Sequence, residues 1–559
     1  MSIDKQHPTT VDAGRARPVR WSGAPYRVEA VLFDFDGTLT KPGALDFSGI
    51  RSAIGCPPDE PVLEFIAGIA DEGERRRCAA VLERLEAEAA DRSELNEGAA
   101  ELVSFLRSHG VRLGIITRNG RASVERTLNH VPGLAASDFG LVITRDLPVP
   151  FKPAPDGLFH AATEWAVQPR HVLIVGDHEL DIQAGKAAGA LTALLTNGAA
   201  EPSAPGAADF AVGALSELVD VVRYGLPLPC GKLPTDLLGG ALESIAPADL
   251  SLLVGAAVGE DAAAVAVGEA EVLVLTSDPI TLATDSLARY AVLVNANDVA
   301  TCGATPRWFL ATLLFPPGST ASEILAVIRE LAESCEPWGI SLCGGHTEIT
   351  DAVSRPLVVG MMAGTATRSQ LVDKKRMQEG DVILLTKRVA VEGTGLLARE
   401  YGARLRDAGM PREEIEACKA FLDKVSILDE AKIARDFAGV SAMHDVTEGG
   451  VATALLELGV AGGHRLRIHL DRIPIYPETE KVCAALGLDP FGLLGSGTLL
   501  LSCAPGQAGS LRAAVLAAGI EIAEVGVALE DGVGIEAIRD GQAVAWPSFE
   551  RDEVSRLSG

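Results

Sequence analysis

Two acids at the end of an apolar run mark the first place where this chain could do chemistry: Asp34 and Asp36 in VLFDFDGTLT, residues 31–40. If the run is a strand, alternation sends both carboxylates to one side and Phe33 and Phe35 to the other. Gly37 then lets the backbone turn tightly over them. Open α/β sheets bind ligands at the carboxyl ends of their strands, so this pair suits a nucleophile and an acid/base acting on a metal-bound phosphate. Three later apolar runs end in groups fit for the same anion. VRLGIITRNG ends at Thr117, whose hydroxyl and following amides could hold phosphate oxygens. Lys152, in FKPAP after LVITRDLPV, offers a compact cation. HVLIVGD ends at Asp177, and Asp181 lies on the same side of a helix beginning there. Asp177 and Asp181 read as a magnesium half-site, and because magnesium keeps several waters and needs few protein oxygens, Asp34, the Asp36 backbone carbonyl and Asp177 would suffice to hold it.

The elements that must position these groups fit a chain built from several cores. Its 559 residues exceed what one core usually holds, and 47% hydrophobic with 22% charged residues describes an ordinary globular composition. A formal charge of -27 disfavours nucleic acid and anionic membranes as partners. The nine cysteines form no CxxC pair, so neither a zinc site nor a disulfide framework is expected, and the compartment reads as reducing. No uninterrupted apolar run approaches the roughly 18 residues of a membrane span. The N-terminus lacks a secretory apolar core, so residues 1–25 read as a flexible arm of a cytoplasmic protein.

Taken together, the four strand-end motifs resemble the haloacid dehalogenase superfamily over about residues 26–225. The resemblance implies a Rossmann-like core in which Asp34 is phosphorylated, Asp36 is the acid/base, and Thr117 and Lys152 steady the phosphoryl group. Residues 43–95 read as a small helical cap over a phosphorylated metabolite. A small-residue, Pro-rich stretch and the helix-like ALSELVDVVRYG precede a break near 224–229.

Beyond the break, strand-like runs such as VLVLTS, VILLT and GTLLLSC alternate with helical ones, and Asp540-Gly541 signals a hairpin. Acids again end apolar runs: Asp261, Asp278, Asp298, Glu348, Asp445 and Glu448. Two like charges at 4 Å repel by about 4 kcal/mol at an effective dielectric of 20, so a convergent set of them needs cations. The series GEDAA, TSDPIT, NANDVATCGATPRW, GGHTE and HDVTEGG resembles the aminoimidazole ribonucleotide synthetase superfamily, which includes selenophosphate synthetase and a hydrogenase maturation protein. That resemblance implies an α+β module of two domains, 226–366 and 367–559, dimeric through its first domain and holding Mg-ATP. Asp261, Asp278, Asp298 and Asp445 would then carry magnesium and triphosphate. Lys232, Asn295, Gly344, Gly345, Thr347, Glu348 and Glu448 would line the nucleotide.

Two features separate this chain from those relatives. It ends FERDEVSRLSG, without the C-terminal cysteine of the hydrogenase maturation proteins, and Cys230 and Lys232 are two apart where selenophosphate synthetases space a cysteine and a lysine by three. The expected function is bifunctional: a magnesium-dependent phosphomonoesterase joined to an ATP-dependent enzyme that phosphorylates an amide, carboxylate or similar oxygen. Alternatives for the second half are a selenophosphate-synthetase-like enzyme and an ATP-binding maturation partner for a client protein.

Overall fold

The computed structural model describes residues 24–198, 208–228, 231–242, 244–245, 249, 251–254, 264–265, 267–269, 271–549 and 551–557. The chain divides into two compact units, one of residues 1–228 with 318–323 and one holding the remainder.

In the first unit six strands form one parallel sheet: β1 (Ala30–Phe33), β2 (Arg112–Ile116), β3 (Leu141–Ile143), β4 (Val172–Gly176), β5 (Leu191–Leu195) and β6 (Phe210–Val212). Their order is β3-β2-β1-β4-β5-β6, so β1 is central and the connection reverses direction beside it. Covered on both faces, the central strands carry continuous apolar runs; Val172, Leu173, Ile174 and Val175 are all fully buried. Between β1 and β2 lie α1 (Phe47–Ile54), α2 (Val62–Gly68) and α3 (Glu72–Ala90), with Ile50, Ile54, Ile66, Cys78 and Leu82 making a core of their own. Asp46 and Asp71 cap the first and third of these helices by accepting from Gly49 N and Glu74 N. The remaining helices, α4 (Ala99–Ser108), α5 (Arg121–His130), α6 (Asp156–Trp165), α7 (Glu179–Ala188) and α8 (Leu218–Gly225), follow or link the strands.

The second unit carries two larger sheets. One joins β7 (Gly231–Lys232), β10 (Glu271–Ile280), β11 (Thr305–Phe315), β12 (Ser341–Ile349) and β13 (Leu357–Thr367) in the order β10-β13-β11-β12-β7, while β8 (Leu252–Val254) and β9 (Ala264–Val265) pair separately. The other joins β14 (Val382–Thr386), β15 (Val440–Asp445), β16 (His464–His469), β17 (Leu499–Cys503), β18 (Ile522–Asp531), β19 (Ile535–Arg539) and β20 (Gln542–Val544), in the order β15-β17-β14-β18-β16-β19-β20. The turn between β19 and β20 has positive φ at both Asp540 (51°) and Gly541 (77°), the backbone that an Asp-Gly pair favours in a two-residue hairpin. Helix Leu287–Thr301 packs on both β10 and β13 with twelve of its fifteen residues buried, which is why it shows no amphipathic stripe. Among the described residues, no helix is long and apolar enough to cross a membrane.

Candidate functional site

At the carboxyl end of β1 the chain leaves the sheet sooner than alternation along a strand implies. The strand ends at Phe33, and Asp34 N donates to Val175 O at 2.8 Å as the last tie to β4. Gly37 then takes φ +77°, and a Cβ there would lie 2.1 Å from Asp177 Oδ2, so the position requires glycine twice over. Asp34 and Asp36 therefore face different partners. Lys152 Nζ donates to Asp34 Oδ1 at 2.6 Å and to Asp181 Oδ1 at 2.5 Å. Asp36 Oδ2 instead accepts from Asn119 Nδ2 at 2.5 Å.

One carboxylate oxygen from each of Asp34, Asp177 and Asp181 can be chosen so that all three lie within 4.8 Å of one another. Thr117, just past β2, is buried; its N donates to Ile143 O at 2.9 Å and its Oγ1 accepts from Asn119 N at 3.1 Å. Burial pushes the Asp36 carboxyl up to about 7, with the Asp34 charge adding to the rise and the Asn119 hydrogen bond opposing it. Burial likewise lifts Asp177 to about 6, helped by Asp34. For Asp181 burial again dominates, partly offset by Lys152, giving about 6. Lys152 is itself buried, which favours loss of its proton, yet Asp181 and Asp34 together hold its ammonium above the ordinary lysine range.

Three residues around this site, Arg118, Arg145 and Asn119, escaped the sequence reading. Arg118, beside Thr117, donates to Lys152 O at 2.9 Å and to Glu64 Oε2 of α2 at 2.5 Å. Arg145 pairs with the buried Glu86 of α3. Asn119 carried the one available signal: it stands two residues after Thr117, the same step that separates Asp34 from Asp36.

The second unit gathers another acidic cluster. Thr276 Oγ1 on β10 donates to Asp298 Oδ2 at 2.9 Å, and Asp298 also hydrogen-bonds Asp278. Burial, that bond and the charge of Asp445 drive the Asp298 carboxyl up to about 9. Asp445, at the end of β15, is raised as well, chiefly by burial, and its buried Oδ2 has no hydrogen-bond partner among the described residues. Glu392, at the start of helix Val391–Glu400, lies within the field of Asp445; burial lifts it to about 7, and its Oε2 is also unpartnered among the described residues.

Other residues singled out from the sequence lie differently. Asn295 is fully buried and grips backbone: its Oδ1 accepts from Asp278 N at 2.9 Å and its Nδ2 donates to Ala291 O at 2.8 Å. It thereby fixes the backbone that carries Asp278. Gly344, Gly345, Thr347 and Glu348 all lie in β12; a Cβ on Gly345, at φ +148°, would meet Ala311 O of the neighbouring strand at 2.0 Å. No hydrogen bond or ion pair among the described residues joins these four to the three acids. Glu448 is exposed in the turn before helix Gly450–Gly462. Lys232 pairs through its backbone with Glu348. Asp261 and Cys230 lie outside the described residues.

An open parallel sheet with acids and a lysine at its carboxyl edge defines the first unit as a Rossmann-like α/β domain in which three carboxylates lie close enough together to hold a metal ion. Over that domain the chain belongs to the haloacid dehalogenase-like hydrolases, whose family model matches residues 28–189. Residues 259–366 and 378–538 match the N- and C-terminal domains of AIR synthase related proteins, so the chain is a fusion of the two. It is 32% identical over 200 residues to an uncharacterized hydrolase of Saccharomyces cerevisiae, covering 35% of this chain and 91% of that protein. It is 25% identical over 285 residues to carbamoyl dehydratase HypE of Cupriavidus necator, covering 49% and 78%. Among solved structures, E. coli HypE, a hydrogenase maturation protein, aligns with a TM-score of 0.48 at 21% identity over 58% of this chain and 98% of that one.

Proposed function

We propose that the chain is a bifunctional enzyme: a magnesium-dependent phosphomonoesterase in its first unit and an ATP-dependent phosphoryl-transfer enzyme in its second. The observation that carries the first activity is the convergence of the Asp34, Asp177 and Asp181 carboxylates, hard oxygen donors that fit magnesium, beside Lys152, a cation for the phosphoryl group. Asp34, the Asp36 carbonyl and Asp177 would hold magnesium there, and it would supply charge neutralisation for the phosphoryl oxygens. In the first step an Asp34 oxygen attacks phosphorus, the bond to the leaving oxygen breaks, and Asp36 gives its proton to that oxygen. In the second, Asp36 takes a proton from water, the water oxygen attacks phosphorus, and inorganic phosphate departs from Asp34. Lys152 and the Thr117 hydroxyl steady the charge on the transferring group in both steps. The helical segment α1–α3, whose Glu64 and Glu86 reach Arg118 and Arg145 beside the site, would select a small phosphorylated metabolite.

For the second unit, the clustering of Asp278, Asp298 and the buried Asp445 supports a Mg-ATP site, since cations or protons are what relieve acids gathered so closely. The acceptor in this reading is an oxygen of an amide, carboxylate or similar group, in line with the name of the related carbamoyl dehydratase. A homodimer through the first sheet of this unit accords with Leu273, Leu275 and Met361, which lie exposed on one face of β10 and β13. The test is a pair of assays on the full chain: hydrolysis of a panel of phosphorylated metabolites, and ATP turnover with each dephosphorylated product as acceptor. Hydrolysis of no phosphomonoester in the presence of magnesium would refute the first assignment, and failure to bind Mg-ATP the second.

A further inference from the structure

We propose that Asn119 is the positioning residue that holds the Asp36 carboxyl ready for proton transfer, and that the Arg145–Glu86 pair from helix α3 keeps Asn119 in place. The inference rests on the reading of Asp36 as acid/base and adds to it the group that orients it. Asn119 is buried, and its side-chain NH2 donates to Asp36 Oδ2 at 2.5 Å. An NH2 group can only donate, so Oδ2 is committed as acceptor and the transferable proton is confined to Oδ1. One carboxyl oxygen is thus fixed and the other left for the substrate, which turns a freely rotating acid into a directed one.

Asn119 has little freedom of its own. Its N donates to Thr117 Oγ1 at 3.1 Å, and its carbonyl accepts from Arg145 N at 3.2 Å. The Arg145 guanidinium extends under the same loop, donating to Arg118 O at 3.4 Å, and ends on the buried Glu86. Helix α3 is tied to the core at this point a second time, because Ser123 Oγ donates to Glu86 O at 3.3 Å. A buried ion pair is weak evidence of stabilisation, since desolvation offsets most of the attraction; its effect here is to fix where the loop sits. Arg145 also neutralises a carboxylate whose charge reaches Asp36.

A proton donor matters most when the leaving group is poor. The test therefore compares kcat/KM for p-nitrophenyl phosphate and phenyl phosphate, two probes of one shape, in the full chain with magnesium. Asn119→Leu, close to the native shape but without a donor, is expected to lower kcat/KM for phenyl phosphate at least about tenfold while p-nitrophenyl phosphate changes by less than about threefold. Retained aryl phosphate turnover shows at the same time that the variant is folded. Asn119→Ala should repeat the pattern, and Arg145→Met should show a smaller version of it. Asp36→Asn run in the same series should show the same selectivity with a larger loss. Equal losses on both probes in the Asn119 variants, or no loss, would overturn the inference while leaving Asp36 as the acid/base. If Asp36→Asn itself shows no dependence on the leaving group, the underlying reading falls and the inference with it.

Discussion

The two acidic clusters solve one electrostatic problem in different ways. In the first unit Lys152 lies between Asp34 and Asp181, so part of the negative charge is neutralised by the chain itself. In the second, no lysine or arginine forms an ion pair with Asp278, Asp298 or Asp445 among the described residues, and burial with the neighbouring acids raises the Asp298 carboxyl so that it holds its own proton. The contrast follows from what each site would hold. A phosphomonoester brings a small charge that one divalent cation and one ammonium can balance. A triphosphate brings more cations with it, and a resident lysine would compete with them for the same carboxylates. On the proposed reading, the first site carries its own balancing cation before anything binds, whereas the second would gain its cations with the ligand.

Removing the internal cation is the hardest blow to this contrast. Lys152→Met should leave Asp34, Asp177 and Asp181 uncompensated, reduce phosphatase kcat/KM by about 10³-fold or more, and destabilise the fold by about 3–5 kcal/mol as broken buried pairs do. Urea unfolding and phosphatase assays check it, and no comparable loss of Mg-ATP binding should follow. Next in size, Gly37→Ala forces a Cβ into Asp177 at positive φ and should cost about 1–3 kcal/mol of stability along with most of the phosphatase activity. In the second unit, Asp298→Asn should weaken Mg-ATP binding by about ten- to a hundredfold in calorimetry, with aryl phosphate hydrolysis unchanged.

A last effect is one of pH. The folded Asp298 carboxyl keeps its proton up to about 9, whereas the unfolded chain releases it near the ordinary value of about 3.9, so between these limits the unfolded state binds fewer protons. Metal-free protein should therefore lose stability as pH rises from about 4 to about 9, and Asp298→Asn should flatten that decline. Melting temperatures at pH 6 and pH 8, with and without magnesium, measure it; an identical slope in the variant would remove Asp298 from the cluster.

Much of this was legible in the sequence, because strand ends are written in apolar runs. Asp34, Thr117 and Asp177 each stand just past a fully or mostly buried strand, and the Asp540-Gly541 turn carries its own backbone signature. Side-chain direction at the end of a run was less legible. Strand alternation would put Asp34 and Asp36 together, but the backbone leaves the strand at Asp34, and only Lys152 and Asn119, far along the chain, reveal what each carboxylate meets. A polar residue inside a helical run gives still less away: Asn295 reads as a ligand group, and the fold spends it on the backbone of Asp278. Glu86 and Glu64 sit among many acids of the helical segment, and nothing in their spacing distinguishes the two that reach Arg145 and Arg118.

The claim on which the rest depends is that Asp34 takes the phosphoryl group and that the second unit works without it. Quenching the full chain during steady turnover of an aryl phosphate with magnesium, then mapping the acyl phosphate by reduction and peptide mass spectrometry, tests this most directly. One modified residue is expected, Asp34, with both label and hydrolysis lost in Asp34→Asn and Mg-ATP binding intact. Undiminished hydrolysis by Asp34→Asn, or the phosphoryl group on another residue, would contradict it.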